Sequence, residues 1–103
     1  KWYRKAAEQD IVPAQFKLGL ICFEGEGADQ NLPEAFKWFK KAAEHGHKEA
    51  QFKLGLCYYH GKGTPQNYSE SWIWVKKAAD QGNDEARKFM EQFTSHKNEA
   101  PDK

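Results

Sequence analysis

The stretch from Ala14 to Ala50, AQFKLGLICFEGEGADQNLPEAFKWFKKAAEHGHKEA, decides the fold, because the chain then begins it again. Ala50-Gln51-Phe52-Lys53-Leu54-Gly55-Leu56 repeats Ala14-Gln15-Phe16-Lys17-Leu18-Gly19-Leu20 at an offset of 36. The same offset carries Gly25 to Gly61, Gly27 to Gly63, Asn31 to Asn67, Trp38 to Trp74, Ala42-Ala43 to Ala78-Ala79 and Gly46 to Gly82. Run backwards, it carries Trp38 to Trp2 and Ala42-Ala43 to Ala6-Ala7. A period in this range marks an array of stacked supersecondary units.

Within each unit the apolar spacing is helical. Ala14, Leu18, Ile21 and Cys22 form one stripe, and Phe16, Leu20 and Phe23 form a second on the other side. A helix apolar on two sides is packed on two sides. Glu24 to Gln30 reads as a turn, with Gly25 and Gly27 supplying positive φ. It lacks the spacing of a phosphate-binding loop, and no strand precedes it. Asn31 with Glu34, and Asn67 with Glu70, have capping-box spacing, and Asp10 is placed to cap the helix that follows it. Gly46 and Gly82 stand where a helix end wants left-handed backbone. Gly55 is expected at a close approach of two helices, with Ala42-Ala43 and Ala78-Ala79 as small-residue contacts.

With these residues in place, the chain resembles the Sel1-like repeats, relatives of the tetratricopeptide repeats. The motif stands as Ala14, Leu18, Gly19, Gly25, Gly27, Ala35, Trp38, Phe39, Lys41, Ala42, Ala43 and Gly46. It recurs as Ala50, Leu54, Gly55, Tyr58, Gly61, Gly63, Trp74, Lys77, Ala78, Ala79 and Gly82, with departures at Asp10, Cys22, Ser71 and Val75. The resemblance implies an all-α solenoid of antiparallel helix pairs, here about six helices with the first truncated, acting as a scaffold that binds other proteins. The expected organisation is one domain over 1–95: a half repeat 1–9, full repeats at about 10–45 and 46–81, and a closing helix 82–95. A polar tail, 96–103, follows. The closing helix is expected because Phe52, Gly55, Leu56 and Tyr59 become Lys88, Glu91, Gln92 and Ser95, giving the polar outer face of a terminal repeat, while Ala86, Met90 and Phe93 stay apolar. The N-terminal end is expected to do the reverse. Trp2, Tyr3 and Ala6 would expose apolar surface open to end-to-end self-association.

Other classes of function find little support in the residues. The net charge of +1 gives no field for nucleic acid, and no apolar run approaches the ~20 residues of a membrane span. His45 and His47 flank Gly46 at a helix junction, an ordinary place for a turn residue, and no HExxH or CxxC ligand spacing occurs. Neither a catalytic set nor a metal or cofactor site is expected. Cys22 and Cys57 do not align under the repeat; they read as buried free thiols, with a disulfide or a reactive thiol as alternatives. Free thiols lean towards a reducing compartment, with periplasmic or secreted locations left open. Some Sel1-like proteins are cysteine-rich and secreted, with a disulfide in each repeat, and that spacing is absent here.

Partner binding remains. In the related tetratricopeptide architecture the first helix of each pair lines a concave groove. Carried over by the Leu-Gly register, the groove positions are Lys17, Leu20, Phe23 and Glu24, then Glu49, Lys53, Leu56, Tyr59 and His60. The alternative for the apolar members, with Phe16 and Phe52, is packing between repeats. Lys17 and Lys53 recur between the stripes and form either a solvated ladder or a site for an acidic segment of a partner. Trp72 is expected in the core and Ile73 as an exposed apolar spot on the second helix of its pair. The reading from another class is a regulatory or targeting segment of a larger enzyme, such as a bacterial cell-wall hydrolase.

Overall fold

The computed structural model describes the backbone of residues 2–25 and 30–99, and the side chains of 4–25 and 30–92. Among these residues there are six helices and no strand: α1 Trp2–Glu8, α2 Val12–Glu24, α3 Leu32–Glu44, α4 Lys48–His60, α5 Tyr68–Asp80 and α6 Asp84–Glu99. Consecutive helices pack on one another and the chain extends to 50 × 27 × 18 Å, the shape of a stack. The expectations for Gly27, for the side chains of Trp2, Tyr3, Phe93 and Ser95, and for 100–103 lie outside the described residues.

The helix ends show how 36 residues are closed into a unit. At the second helix of each pair the same pair of bonds recurs. Gly46 N–H reaches Ala43 O and His47 N–H reaches Ala42 O; Gly82 and Asn83 do the same to Ala79 and Ala78, and Asp10 and Ile11 to Ala7 and Ala6. This ending needs a left-handed residue, and Gly46 (φ 90°) and Gly82 (φ 92°) supply it. Asp10 stands in their register with φ 66°. The expected cap at Asp10 is therefore corrected: its backbone is spent on the turn, and the N-cap of α2 is Ile11, which has no side-chain acceptor. The next two units carry the cap at that register position, through His47 and Asn83, which accept from Ala50 N–H and Ala86 N–H at 3.1 and 3.0 Å.

Asn31 and Asn67 cap α3 and α5, accepting from Glu34 N–H and Glu70 N–H at 3.1 Å each. Their own backbone N–H groups do not take the return bond of a full capping box. They donate instead to Cys22 O and Tyr58 O at the ends of α2 and α4, both at 2.8 Å. Glu34 is thereby freed to accept from Trp38 Nε1 at 3.2 Å and to pair with Arg4 at 2.9 Å, tying α1 to α3. These donors hold its carboxyl below the usual range, the Trp38 bond most.

The core is a run of alanines under a few large side chains. Ala14, Leu18, Ala35, Phe39, Ala42, Ala43, Ala50 and Leu54 are buried in one cluster, and Val75, Ala78, Ala79 and Ala86 in a second. Each large aliphatic or aromatic side chain removed from water contributes ~1.5–3 kcal/mol, while the alanines let helix backbones approach. A Cβ at Gly19 would lie 2.7 Å from the Phe39 ring, and one at Gly55 would lie 2.5 Å from Val75 Cγ2 and 3.1 Å from Ser71 O. Close approach at Gly55 thus involves the α5 backbone itself. Gly63 (φ 76°) lies against Leu32 O, so the loop of the second repeat rests on the start of α3.

Two buried glutamines complete the joints. Gln15 and Gln51 donate to Ala7 O and Ala43 O, both at 3.2 Å, satisfying carbonyls at the end of the preceding helix. Gln51 Oε1 in turn accepts from Gln81 Nε2 at 2.8 Å, and the same Nε2 lies 3.0 Å from Gly46 O. Gln15 is fully buried and its Oε1 has no partner among the described residues. His45 stands where Gln81 stands one repeat later, but its Nδ1 donates to its own helix, at Lys41 O, 2.8 Å away.

Two expectations about the ends change. Ala6 is only 5% exposed, since α1 lays it against α2 in the main core, so it is not part of an exposed apolar end. Helix α6 runs to Glu99, past the expected end at 95. Nothing from Ser95 to Glu99 is a strong helix breaker, and the first such signal is Pro101, which disfavours helix at the residue before it.

A candidate partner-binding surface on the first helices

The first helices of successive pairs, α2, α4 and α6, meet through their aromatic residues. The Phe16 ring lies 4.6 Å from that of His47, and Lys53 Nζ is held 6.0 Å over the Phe23 ring. One repeat on, Phe52 and Tyr59 both meet Phe89, at 6.0 and 5.2 Å, nearly edge-on. Phe89 occupies the register of Lys17 and Lys53. The sequence reading missed it because it followed the stripe of 86, 90 and 93, and Phe89 replaces a lysine rather than an apolar residue. The signal was available: a lone aromatic in a ladder of lysines.

The predicted site residues therefore divide. Lys17 and Glu24 are exposed on α2, while Leu20 and Phe23 are half-buried and lean on the main core. On α4, Glu49 and His60 are exposed, and Lys53, Leu56 and Tyr59 are half-buried. The structure brings together Phe23 with Lys53, and Tyr59 with His60 and Tyr68 at 5.0 and 5.2 Å. It does not gather the whole set: Glu49 and His60 are separated by the length of α4, roughly 16 Å. Phe16 and Phe52 serve packing, each against a core cluster. Lys53 is not a purely solvated rung, because it is half-buried and its ammonium lies over the Phe23 ring, where a cation is attracted. On the second helices, Ile73 is 45% exposed and Trp72 half-buried.

Among the described residues no group of three or more His, Cys, Asp or Glu is placed to hold a metal ion. Cys22 and Cys57 are free and buried. Burial pushes the Cys57 thiol up to about 11 and raises Cys22 as well, with Glu34 adding to the latter. Both are held as thiols, which are poor nucleophiles. No helix among the described residues is long and apolar enough to cross a membrane.

The repeat geometry now has a counterpart in known proteins. The Sel1 repeat pattern matches residues 1–11, 12–47 and 48–83. The chain belongs to the Sel1 repeat family. The matched segments end at Ile11, His47 and Asn83, the three N-cap positions of the first helices. A Sel1 repeat protein from Oxalobacter formigenes is similar at 37% identity, with a TM-score of 0.86 over 89% of this chain and 27% of that one. A protective antigen of uropathogenic Escherichia coli displaying an SLR fold is similar at 44% identity, with a TM-score of 0.80 over 82% of this chain and 18% of that one. Cysteine rich protein B of Helicobacter pylori shares the fold, with a TM-score of 0.80 at 24% identity over 85% of this chain and 66% of that one. The chain thus spans about a quarter or less of the first two. No curated protein matches it. Sel1 repeats are generally protein-interaction modules and non-catalytic scaffolds.

Proposed function

We propose that this Sel1 repeat chain is a non-catalytic adaptor that holds an extended partner segment along α2 and α4. The contact residues would be Lys17, Leu20, Phe23 and Glu24 with Glu49, Lys53, Leu56, Tyr59 and His60. The observation that carries this reading is Lys53, whose ammonium is set over Phe23 of the preceding repeat at 6.0 Å. A cation fixed on an aromatic face, with Lys17 exposed one repeat before it, suits an acidic side chain or a C-terminal carboxylate. Each exposed charge contact contributes ~0.2–1 kcal/mol, so binding is weak to moderate and falls with salt. The test uses a partner recovered by pull-down and then purified. The Lys17→Glu, Lys53→Glu double variant is expected to bind it at least several-fold more weakly at low salt while melting like the parent. Equal affinity in the folded variant refutes the groove and moves attention to Trp72 and Ile73 on α5. The reading from another class is a regulatory or targeting segment within a larger enzyme. Fusion to a catalytic domain in the full-length protein decides it.

A further inference from the structure

The joint between the first and second repeats is built on a histidine. His47 Nδ1 accepts the Ala50 N–H at 3.1 Å and so caps α4. Its backbone N–H closes the end of α3 on Ala42 O at 3.2 Å. Its ring lies 4.6 Å from that of Phe16 on α2, tilted by 31°. One residue therefore meets α2 and α4 through its ring and α3 through its backbone, where two repeats join. At the next joint Asn83 does the same capping with an amide that does not titrate, accepting from Ala86 N–H at 3.0 Å. At the previous one Ile11 has no cap at all.

We propose that His47 makes this joint proton-sensitive: a proton on Nδ1 removes the cap acceptor, sets a cation against the Phe16 ring and the N-terminus of α4, and loosens α4 from α2. The N-terminus of a helix carries partial positive charge, so an imidazolium there is repelled by the exposed amides that the neutral ring satisfies. The groups facing the ring are few. α2 presents the uncharged Phe16, α3 presents the Ala42 carbonyl at the backbone, and on α4 Glu49 Oε1 lies 3.9 Å from Nε2. Glu49 favours the proton, but it is exposed, and burial of the ring outweighs it, so the ring holds a proton less readily than a free histidine. A group whose folded value is lowered contributes stability that is fully present above its unfolded value of ~6.5 and is lost as pH falls through the folded value. The joint therefore stays closed at neutral pH and weakens in mildly acidic solution.

The experiment follows His47 in the folded protein. In a nuclear magnetic resonance titration, the His47 ring is expected to titrate below ~6.5, with the Ala50 amide signal moving at the same midpoint. In thermal melts at about pH 7.5 and about pH 5, the His47→Asn variant, which copies Asn83, is expected to lose about 4–8 °C less than the parent. Equal losses for the parent and His47→Asn overturn the proposal, as does an Ala50 amide that does not track the ring. Should His47→Asn fold poorly, Phe16→Leu serves as a second variant: with the ring less buried, its midpoint is expected to rise, and an unmoved midpoint overturns the proposal.

Discussion

The repeats 12–47 and 48–83 share their motif and period, yet they are held together differently. The first relies on side-chain bonds: Glu34 takes Trp38 within α3 and Arg4 from α1, and Trp38 is 3% exposed. In the second, Glu70 has no such pair among the described residues and Trp74 stays half-buried. The second relies on backbone closeness and on its joints: Gly55 presses on the α5 main chain, Gln51 is satisfied at both ends, and α4 carries a cap. The first has a phenylalanine ring over Gly19, an orphaned Gln15 oxygen and an uncapped α2. A conserved period thus fixes where helices lie, and the residues between the motif positions decide how firmly each unit is held.

The largest effect is expected at the glycines. Gly55→Leu must displace Val75 and main-chain atoms of α5, and is expected to lower stability by ~1–3 kcal/mol in urea unfolding. Gly19→Ala meets a ring edge and is expected to cost less than Gly55→Ala. Equal costs would show that backbone crowding does not separate the two repeats. Next comes Glu34→Ala, which strips acceptors from Trp38 and Arg4 and is expected to cost ~1–2 kcal/mol, against a smaller loss for Glu70→Ala. Because the Glu34 carboxyl is lowered on folding, its contribution is present above the unfolded value of ~4.3 and is lost as pH falls through the folded value. Parent and Glu34→Ala should therefore converge in stability in acid.

Smaller effects should make the first repeat resemble the second. His45→Gln places at position 45 the side chain that Gln81 supplies to Gln51, and is expected to stabilise by ~0.5–1.5 kcal/mol once Gln15 Oε1 gains a donor. A crystal structure of that variant without the new bond, or a melting temperature below the parent's, breaks the comparison. Ile11→Asn copies Asn83 and is expected to gain ~0.5–1 kcal/mol by capping α2, measured by thermal melt with His47→Asn as the cap-for-cap control. Ile11 is 44% exposed, so little packing is lost in the exchange.

The legible part of the fold was whatever the period enforces. Asn31, Asn67, Gly46, Gly82 and Gly55 recur because backbone geometry admits few residues there, and their roles could be stated before any coordinates. What escaped was set by exceptions and by partners distant in sequence. Asp10 looked like a cap because capping and left-handed turns draw on the same short polar side chains. Gln15 and Gln51 recur as faithfully as the glycines, but a polar residue beside an apolar stripe gives no sign that it bonds a carbonyl eight residues back. Phe89 escaped because its meaning lies in Phe52 and Tyr59, 30 and more residues earlier. For the candidate surface the sequence offers only a set of positions. That Lys53 rests on Phe23 depends on the stacking of α4 against α2, which the sequence of neither helix states.

The Gln81 side chain has a kinetic consequence. The capping bonds here link residues close in sequence, so they close short loops. Gln81 reaches back 35 residues to Gly46 and 30 to Gln51, so its bonds require α4 and α5 to be in place first. Contacts made after the rate-limiting step act mainly on unfolding. Gln81→Ala is therefore expected to leave the folding rate nearly untouched and to speed unfolding, as stopped-flow kinetics would read it.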